Sequence, residues 1–348
     1  MYVLKGKPAS EFNFKEIKYD KKEMVATVTI NREDVYNAYS TKTLEELFEA
    51  FKDAAWDDSV GVVVLTGAGK SAFCTGGDVK EYAKVYTEKP HEYWKYLTLF
   101  AMAHDMYRNI GKPTIARLNG IVVGGGNEWN LSSDLAVIGE HGYIRQVGTS
   151  VGSVACGGAT QILPIVVGDR RAREILWFNE EIKPQKALEW GLVNQIAETV
   201  TKNGKFLSRL ATEEEIQKAR KKVDGYDISL EKLDEIVATM CKKLLDKFPE
   251  CQRYTKEHVN FWKNFVWYST IGHAREWLAL HFACREPYEG MKAFVEKRKV
   301  DYLKLRRELA EGGSSEFVWG PLTKKCPHCG ASGIPSKFLH CGLCGTKI

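Results

Sequence analysis

From Met24 to Asn31 the chain reads MVATVTIN, a β-rich run that partly alternates apolar and polar positions and predicts a strand. Ser40 is then placed to cap a helix. Leu44, Leu47, Phe48 and Phe51 follow at helical spacing with polar residues between them. Gly61–Leu65 (GVVVL) is a continuous apolar run ended by Gly67 and Gly69, the pattern of a strand buried on both faces. Tyr93–Asn109 predicts a helix, Thr114–Val123 another buried strand, and Asp134–Gly139 (DLAVIG) a third. Arg170–Phe178 and Pro184–Gly191 are helix-like. Strands alternating with helices predict βαβ units, hence an α/β fold with a mostly parallel sheet under helical cover.

The pattern then changes. Glu198–Ile228 is polar and charged and predicts an exposed helical insertion or linker. Leu230–Arg307 is strongly helical and rich in aromatic residues, and Glu311–Glu316 (EGGSSE) is a flexible joint. These shifts predict a core at 1–200, a polar helical insertion at 201–229, a helical C-terminal and oligomerisation region at 230–310, and a small module at 321–348.

Composition narrows the function classes. The 348 residues are 44% hydrophobic and 27% charged, enough for a large core without disulfides. The net charge is +5 with basic and acidic residues interleaved, which gives a nucleic-acid role no support. No run approaches the ~20 apolar residues a membrane helix needs. The N-terminus lacks a basic-then-apolar signal pattern, so a cytoplasmic protein is expected. Of nine cysteines, Cys74, Cys156, Cys241, Cys251 and Cys284 are scattered singly and read as reduced thiols.

Two glycine-rich turns carry the candidate chemistry. Ser71–Glu81 (SAFCTGGDVKE) follows a buried strand and turn. Its consecutive glycines allow backbone N–H groups to approach a ligand. The residues after Gly77 look helical, and a helix start offers free N–H donors and partial positive charge, with Asp78 in the first turn. Taken alone, such a turn is as often mere punctuation. Gly120–Asn130 (GIVVGGGNEWN) places three glycines after an apolar strand, with Glu128 two residues on. It matches neither a G-x-G-x-x-G fingerprint nor a P-loop. Two such cradles can converge on one carbonyl oxygen as an oxyanion hole through Gly77 and Gly125, each donor contributing ~3–4 kcal/mol to the transition state. Glu128, beside Val122, Val123 and Trp129, is a candidate general base with a raised pKa, and a plain helix-capping acid is the alternative.

The tail holds Cys326-Pro-His-Cys329-Gly and Cys341-Gly-Leu-Cys344-Gly, two C-x-x-C knuckles separated by eleven residues. Four thiolates at this spacing suit tetrahedral zinc, and a four-thiolate site is closed and structural. His328 and His340 are adjacent alternatives. A module this small depends on metal to fold.

The ordered motifs resemble the crotonase (enoyl-CoA hydratase/isomerase) superfamily. They are the N-R-x-x-x-x-N-A segment Asn31–Ala38, FCTGGDVKE, NGIVVGGGNE, the Asp134 strand and the glycine-rich stretch Gln146–Leu163. The match spans roughly Phe14–Ala197, with weaker similarity over Glu286–Arg307. The resemblance implies a β-β-α spiral core, homotrimers or dimers of trimers (a homohexamer), and a thioester oxygen held by the amides of Gly77 and Gly125. It places the adenine end of coenzyme A near Asn31–Ala38, with Asn37 and Ala38 as contacts. It brings Glu296, Lys297 and Arg298 toward phosphates. Many relatives carry a basic residue or leucine where this chain has Tyr36.

Simple hydratases of the family use two glutamates. Glu128 matches the first, while the second position is Gly148 here. Dihydroxynaphthoyl-CoA synthases also have glycine there, but carry an acid in the part matching Val154–Ala155, absent here. GGGNEWN, RQVGTSVGS, GGATQ and the polar insertion are most similar to the branch of 6-oxocyclohex-1-ene-1-carbonyl-CoA hydrolases, which open a ring in anaerobic benzoyl-CoA breakdown. That resemblance implies water addition to the double bond by Glu128 and attack of water on the ring ketone. Asp78 is the first candidate for the second step, and Tyr82, Tyr86 and His104 are weaker ones whose simpler reading is packing. Ordinary hydration, isomerisation, a dihydroxynaphthoyl-CoA synthase-like reaction, or a non-catalytic scaffold acting through its zinc module are the competing expectations.

Overall fold

The computed structural model describes residues 4–320 and 322–348. Residues 1–3 and Pro321, which begin the expected core and tail module, lie outside the described residues. The chain divides into two units. The first runs to Asp78 and adds Lys95–Thr149 and Val154–Arg275, and the second comprises Val79–Trp94, Ser150–Ser153 and Glu276–Ile348.

In the first unit, β1 (Ile17–Lys22) pairs antiparallel with β2 (Val25–Ile30). The link is Glu23-Met24, both at positive φ (51° and 62°), as a two-residue hairpin of matching twist requires. The sheet continues in parallel through β3 (Val62–Gly67), then skips β4 (Ala72–Cys74) to β5 (Thr114–Leu118). With β7 (Leu135–Gly139) and β9 (Gln195–Ala197), the order β1-β2-β3-β5-β7-β9 makes it mostly parallel, as expected. Every residue of β3 is buried, while β1 at the edge carries Lys18, Lys21 and Lys22, which oppose edge-to-edge pairing. On one face Val62, Val64, Ile115, Val137 and Ala197 pack against Leu233, Val237 and Cys241 of the helix Glu231–Leu245. The helix Thr41–Trp56 starts at Ser40, whose hydroxyl accepts from the Thr43 amide in a capping box, and it buries Leu44, Leu47 and Phe51.

One expected strand is two. Thr114–Val123 breaks at Asn119-Gly120 into β5 and β6 (Ile121–Val123), which belong to different sheets. The break is held by Asn119, fully buried. Its Oδ1 accepts from the Gly67 amide (3.0 Å), and its Nδ2 donates to the carbonyls of Gly69 (2.9 Å) and Ala72 (3.1 Å). The second sheet, β4-β6-β8, is parallel throughout, with β8 at Tyr143–Arg145 and β7 at Leu135–Gly139 between β6 and β8 in sequence. The first sheet ends at β9 (Gln195–Ala197).

The segment 201–229, expected to be helical, carries one helix (Glu213–Lys221) and a three-stranded sheet of β10 (Val200–Lys202), β11 (Lys205–Phe206) and β12 (Tyr226–Ile228). Its strands are too short to show a period. The buried Glu140 carboxylate anchors it, accepting the amides of Thr199 (2.6 Å), Val200 (2.8 Å) and Ala211 (2.6 Å).

The second unit contains the short helix Val79–Glu81, which runs into a π-type turn at Tyr82–Tyr86, and the helices Arg285–Val295 and Tyr302–Ala310. Tyr82 packs on Phe282 (5.8 Å between ring centroids) and Tyr86 on Tyr93 (5.3 Å). Among the described residues no helix is long and apolar enough to cross a membrane.

Asn119→Ala leaves buried amide and carbonyl groups unpaired at the strand break. It is expected to lower stability by about 2–4 kcal/mol, read as a fall in the denaturation midpoint.

Candidate active site

The site begins with strand register. β4 and β6 pair in parallel with Cys74 opposite Val122, and Gly77 and Gly125 each lie three residues beyond that pair. Parallel strands therefore deliver both glycine turns to the same edge. The approach is close: a Cβ on Gly76 would sit 3.1 Å from the Gly125 nitrogen, and one on Gly126 would sit 2.1 Å from the Cys74 carbonyl oxygen. Only glycine lets the helix Gly125–Ser132 start this near to β4.

The first turn is pinned from both sides. The Tyr39 amide donates to the Gly76 carbonyl and the Asp78 amide to the Tyr39 carbonyl, both at 2.9 Å. Gly77 between them bridges Tyr39. Among the described residues neither the Gly77 nor the Gly125 amide N–H has an acceptor. Two unspent donors on facing turns are what an oxyanion hole needs.

Asp78 is bound to Arg32, whose Nη2 lies 3.0 Å from its carboxylate. The same guanidinium donates to the Ala38 carbonyl (2.6 Å) and lies 3.5 Å from Glu16. Arg32 thus ties the 31–38 segment to the first turn, a role not readable from its place in the N-R motif. Asn37 is turned inward: its Nδ2 donates to the Ala68 and Ala72 carbonyls (2.9 and 2.8 Å) and its Oδ1 accepts the Arg32 amide (3.1 Å). Its side chain is spent inside the fold, and Ala38 beside it is buried.

Glu128 sits in the first turn of the helix Gly125–Ser132 and is 5% exposed. Its Oε1 accepts the Gly157 amide at 2.7 Å and the Ala159 amide at 3.4 Å. Its Oε2 has no partner among the described residues. Burial pushes its carboxyl up to about 7, against the lowering pull of the Ala159 and Gly157 amides. A carboxylate poised near neutrality with one free oxygen can take or return a proton to a water. The two amides that hold it, those of Gly157 and Ala159, were not among the candidate residues read from the sequence. The paired glycines were their only signal.

His104 is fully buried, its Nδ1 within 3.0 Å of the Phe100 carbonyl and its ring stacked on Trp129 at 3.6 Å. Burial pushes its pKa down to about 3, so it stays neutral and works as packing.

A model of the enoyl-CoA hydratase/isomerase family matches residues 20–224. The chain belongs to the enoyl-CoA hydratase/isomerase family. It is 33% identical to a 6-oxocyclohex-1-ene-1-carbonyl-CoA hydrolase of Geobacter metallireducens, covering 82% of this chain and 81% of that one. It is 32% identical to the enzyme of the same name from Thauera aromatica, covering 84% and 83%. Among solved structures, an enoyl-CoA hydratase/isomerase from Mycobacterium paratuberculosis superposes with a TM-score of 0.68 at 20% identity, over 81% of this chain and 99% of that one. An enoyl-CoA hydratase from Bacillus anthracis gives 0.59 at 26% identity, over 83% and 99%. Family membership makes an acyl-CoA the fitting substrate class, and the expected crotonase-like α/β fold is present.

Two groups of expected site residues of this family member lie in the second unit. Lys297 takes a left-handed backbone (φ 56°), and Arg298 is bonded to Glu289 (Nη2 to Oε2, 2.8 Å) and Glu296 (2.6 Å). A phosphate at Arg298 would compete with two carboxylates. The sulfurs of Cys326, Cys329, Cys341 and Cys344 all lie within 4.8 Å of one another, with Cys326–Cys344 at 3.6 Å and Cys329–Cys341 at 3.7 Å. Zn–S bonds of about 2.3 Å in a tetrahedron put sulfurs about 3.8 Å apart, so the cluster fits a metal of that size. His328 and His340 are exposed and outside the cluster.

A general base works deprotonated, so turnover is expected to rise with pH through about 7 and level off above it. Glu128→Gln removes both the limb and the turnover. The raised carboxyl stabilises the fold below its ordinary 4.5 and loses that contribution as pH climbs through about 7. Glu128→Gln is therefore expected to be the more stable protein at pH 8, by on the order of 3 kcal/mol, with the gap closing by pH 4. Chemical denaturation at the two pH values checks this.

Proposed function

We propose that this chain hydrolyses a cyclic enoyl-CoA, 6-oxocyclohex-1-ene-1-carbonyl-CoA, with two waters, opening the ring to a hydroxy-dicarboxyl-CoA in anaerobic aromatic breakdown. The observation that carries the reading is the pair of unspent amides at Gly77 and Gly125 beside a single buried carboxylate, Glu128. The relatives at 33% and 32% identity bear the matching name.

The chemistry needs one enolate twice. In the first step water bonds to the β-carbon of the C=C, Glu128 takes its proton, and the electron pair moves onto the thioester oxygen. The α-carbon then gains a proton. In the second step water adds to the ring ketone. The bond between that carbon and the α-carbon breaks, a carboxylic acid forms, and the electron pair again flows into the thioester oxygen. The α-carbon is protonated once more. One oxyanion hole at Gly77 and Gly125 serves both steps. A hydratase's second glutamate would stand at Gly148, in the segment beside the second turn. With glycine there, that position brings no second carboxylate, and the water for the ring ketone needs another group. Asp78, oriented by Arg32, is the proposed group for that step.

Further parts of the reading rest on resemblance, and the metal also on the cysteine geometry. The backbone of Asn37 and Ala38 is proposed to meet the adenine end of coenzyme A, and Lys297 and Arg298 its phosphates. The tail module from 321 to 348 is proposed to hold structural zinc on its four cysteines. Trimers or dimers of trimers built through 230–310, in the cytoplasm, complete the proposal, with 201–229 as an insertion on a 1–200 core.

A panel of thioesters with product mass spectrometry tests the activity. Two waters gained on the oxo-cyclohexene thioester is the expected result, while one water or none on every thioester overturns ring opening. Elemental analysis tests the metal: one zinc per chain is expected, released together with four reactive thiols on chelation. Four thiols freely titratable in the untreated protein would sink the zinc site.

A further inference from the structure

Residue Gly124 precedes the proposed oxyanion donor and has φ 55° and ψ −121°, a conformation that side-chain-bearing residues avoid. Something must hold it there. Two consecutive residues at the end of β8 do so. The Arg145 carbonyl accepts the Gly124 amide at 2.9 Å, and the Gln146 side chain donates from Nε2 to the Gly124 carbonyl at 3.3 Å. That carbonyl also receives the amides of Asn127 (2.9 Å) and Glu128 (3.3 Å).

The Gly124 carbonyl and the Gly125 N–H belong to one planar trans peptide, so they point in opposite directions. Whatever fixes the carbonyl aims the N–H. A donor on the carbonyl also polarises the peptide and strengthens the N–H as a donor in turn. Gln146 is fully buried, and its Oε1 has no donor among the described residues. A buried amide used on one side only costs the fold more than an apolar side chain of the same shape would. Local rules are broken in this way where function requires it.

We propose that Gln146 is a positioning residue of the oxyanion hole: its side-chain amide, clasping the Gly124 carbonyl, aims and polarises the Gly125 N–H toward the thioester oxygen. The proposal deepens the functional reading above and rests on its oxyanion hole. It does not rest on ring opening.

Gln146→Met keeps the shape and removes the donor. Turnover is expected to fall 10- to 100-fold, with thioester affinity within about threefold of the parent and the acid limb near pH 7 unmoved, because Glu128 is untouched. The thermal midpoint is expected to be unchanged or higher. Infrared difference spectra of bound cyclohexanecarbonyl-CoA, carbonyl-labelled with carbon-13 and unable to add water, read the hole directly. The downshift of its carbonyl stretch in the parent protein is expected to shrink in Gln146→Met and in Gln146→Leu. Equal shifts in parent and variants overturn the proposal, as does no shift in the parent. So does a variant that unfolds or loses thermal stability in proportion to activity, which would mark Gln146 as structural. A shift that behaves as expected in a protein that opens no ring would sink the substrate reading and leave this one standing.

Discussion

Two parallel strands, β4 and β6, run side by side, and the proposed chemistry depends on their register. Because Cys74 stands opposite Val122, each strand releases its glycine turn at the same level. The turns meet backbone to backbone, so close that a Cβ added at Gly76 would sit 3.1 Å from the Gly125 nitrogen. A slip of one residue would move one amide away by a strand step and turn its neighbours to the other face. Backbone donors cannot be re-aimed by rotamer changes, so the proposed hole is as rigid as the sheet that carries it.

Burial then sets the electrostatics. Glu128 starts a short helix wholly packed inside the first unit, and the loss of water raises its carboxyl despite two amide donors. Desolvation and hydrogen bonding pull in opposite directions, and desolvation wins because only one of the two oxygens is bonded. The same dryness would strengthen the proposed oxyanion donors, whose partial charges are screened little inside a protein. The fold supports this with buried polar clamps: Asn119 at the strand break, Arg32 across the first turn, and Glu140 on the small β10–β12 sheet. Each satisfies backbone groups that would otherwise be lost to water exclusion.

The four-cysteine tail follows a different economy. Its core among the described residues is Cys326, Ile334 and Cys341 with Ala331 and Ile348 packed on it, far too little apolar surface to fold a module of this length. Its sulfur spacing, not its hydrophobic content, is what fits a closed tetrahedral metal site.

Much of this was legible in the sequence. The continuous run GVVVL marked β3, the Ser40 cap and its apolar spacing marked the helix Thr41–Trp56, and the C-x-x-C pairs marked the cysteine cluster, because each signal is local. The two turns and Glu128 were legible as well, since glycine runs and an acid at a helix start are local chemistry. The division of Thr114–Val123 was not, because the residues that enforce it, Gly67, Gly69 and Ala72, lie some fifty positions away. The hairpin at Glu23-Met24 carries no glycine or asparagine to announce its left-handed backbone. By itself the sequence determined the alternation of elements, the candidate donors and base, and the four cysteines that the fold gathers into one cluster. Only the tertiary structure decided that the two turns share an edge, that Arg32 binds Asp78, that Gly157 and Ala159 hold Glu128, and that Gln146 clasps Gly124. Those are contacts between segments whose separation along the chain exceeds any local period, and packing alone brings them together.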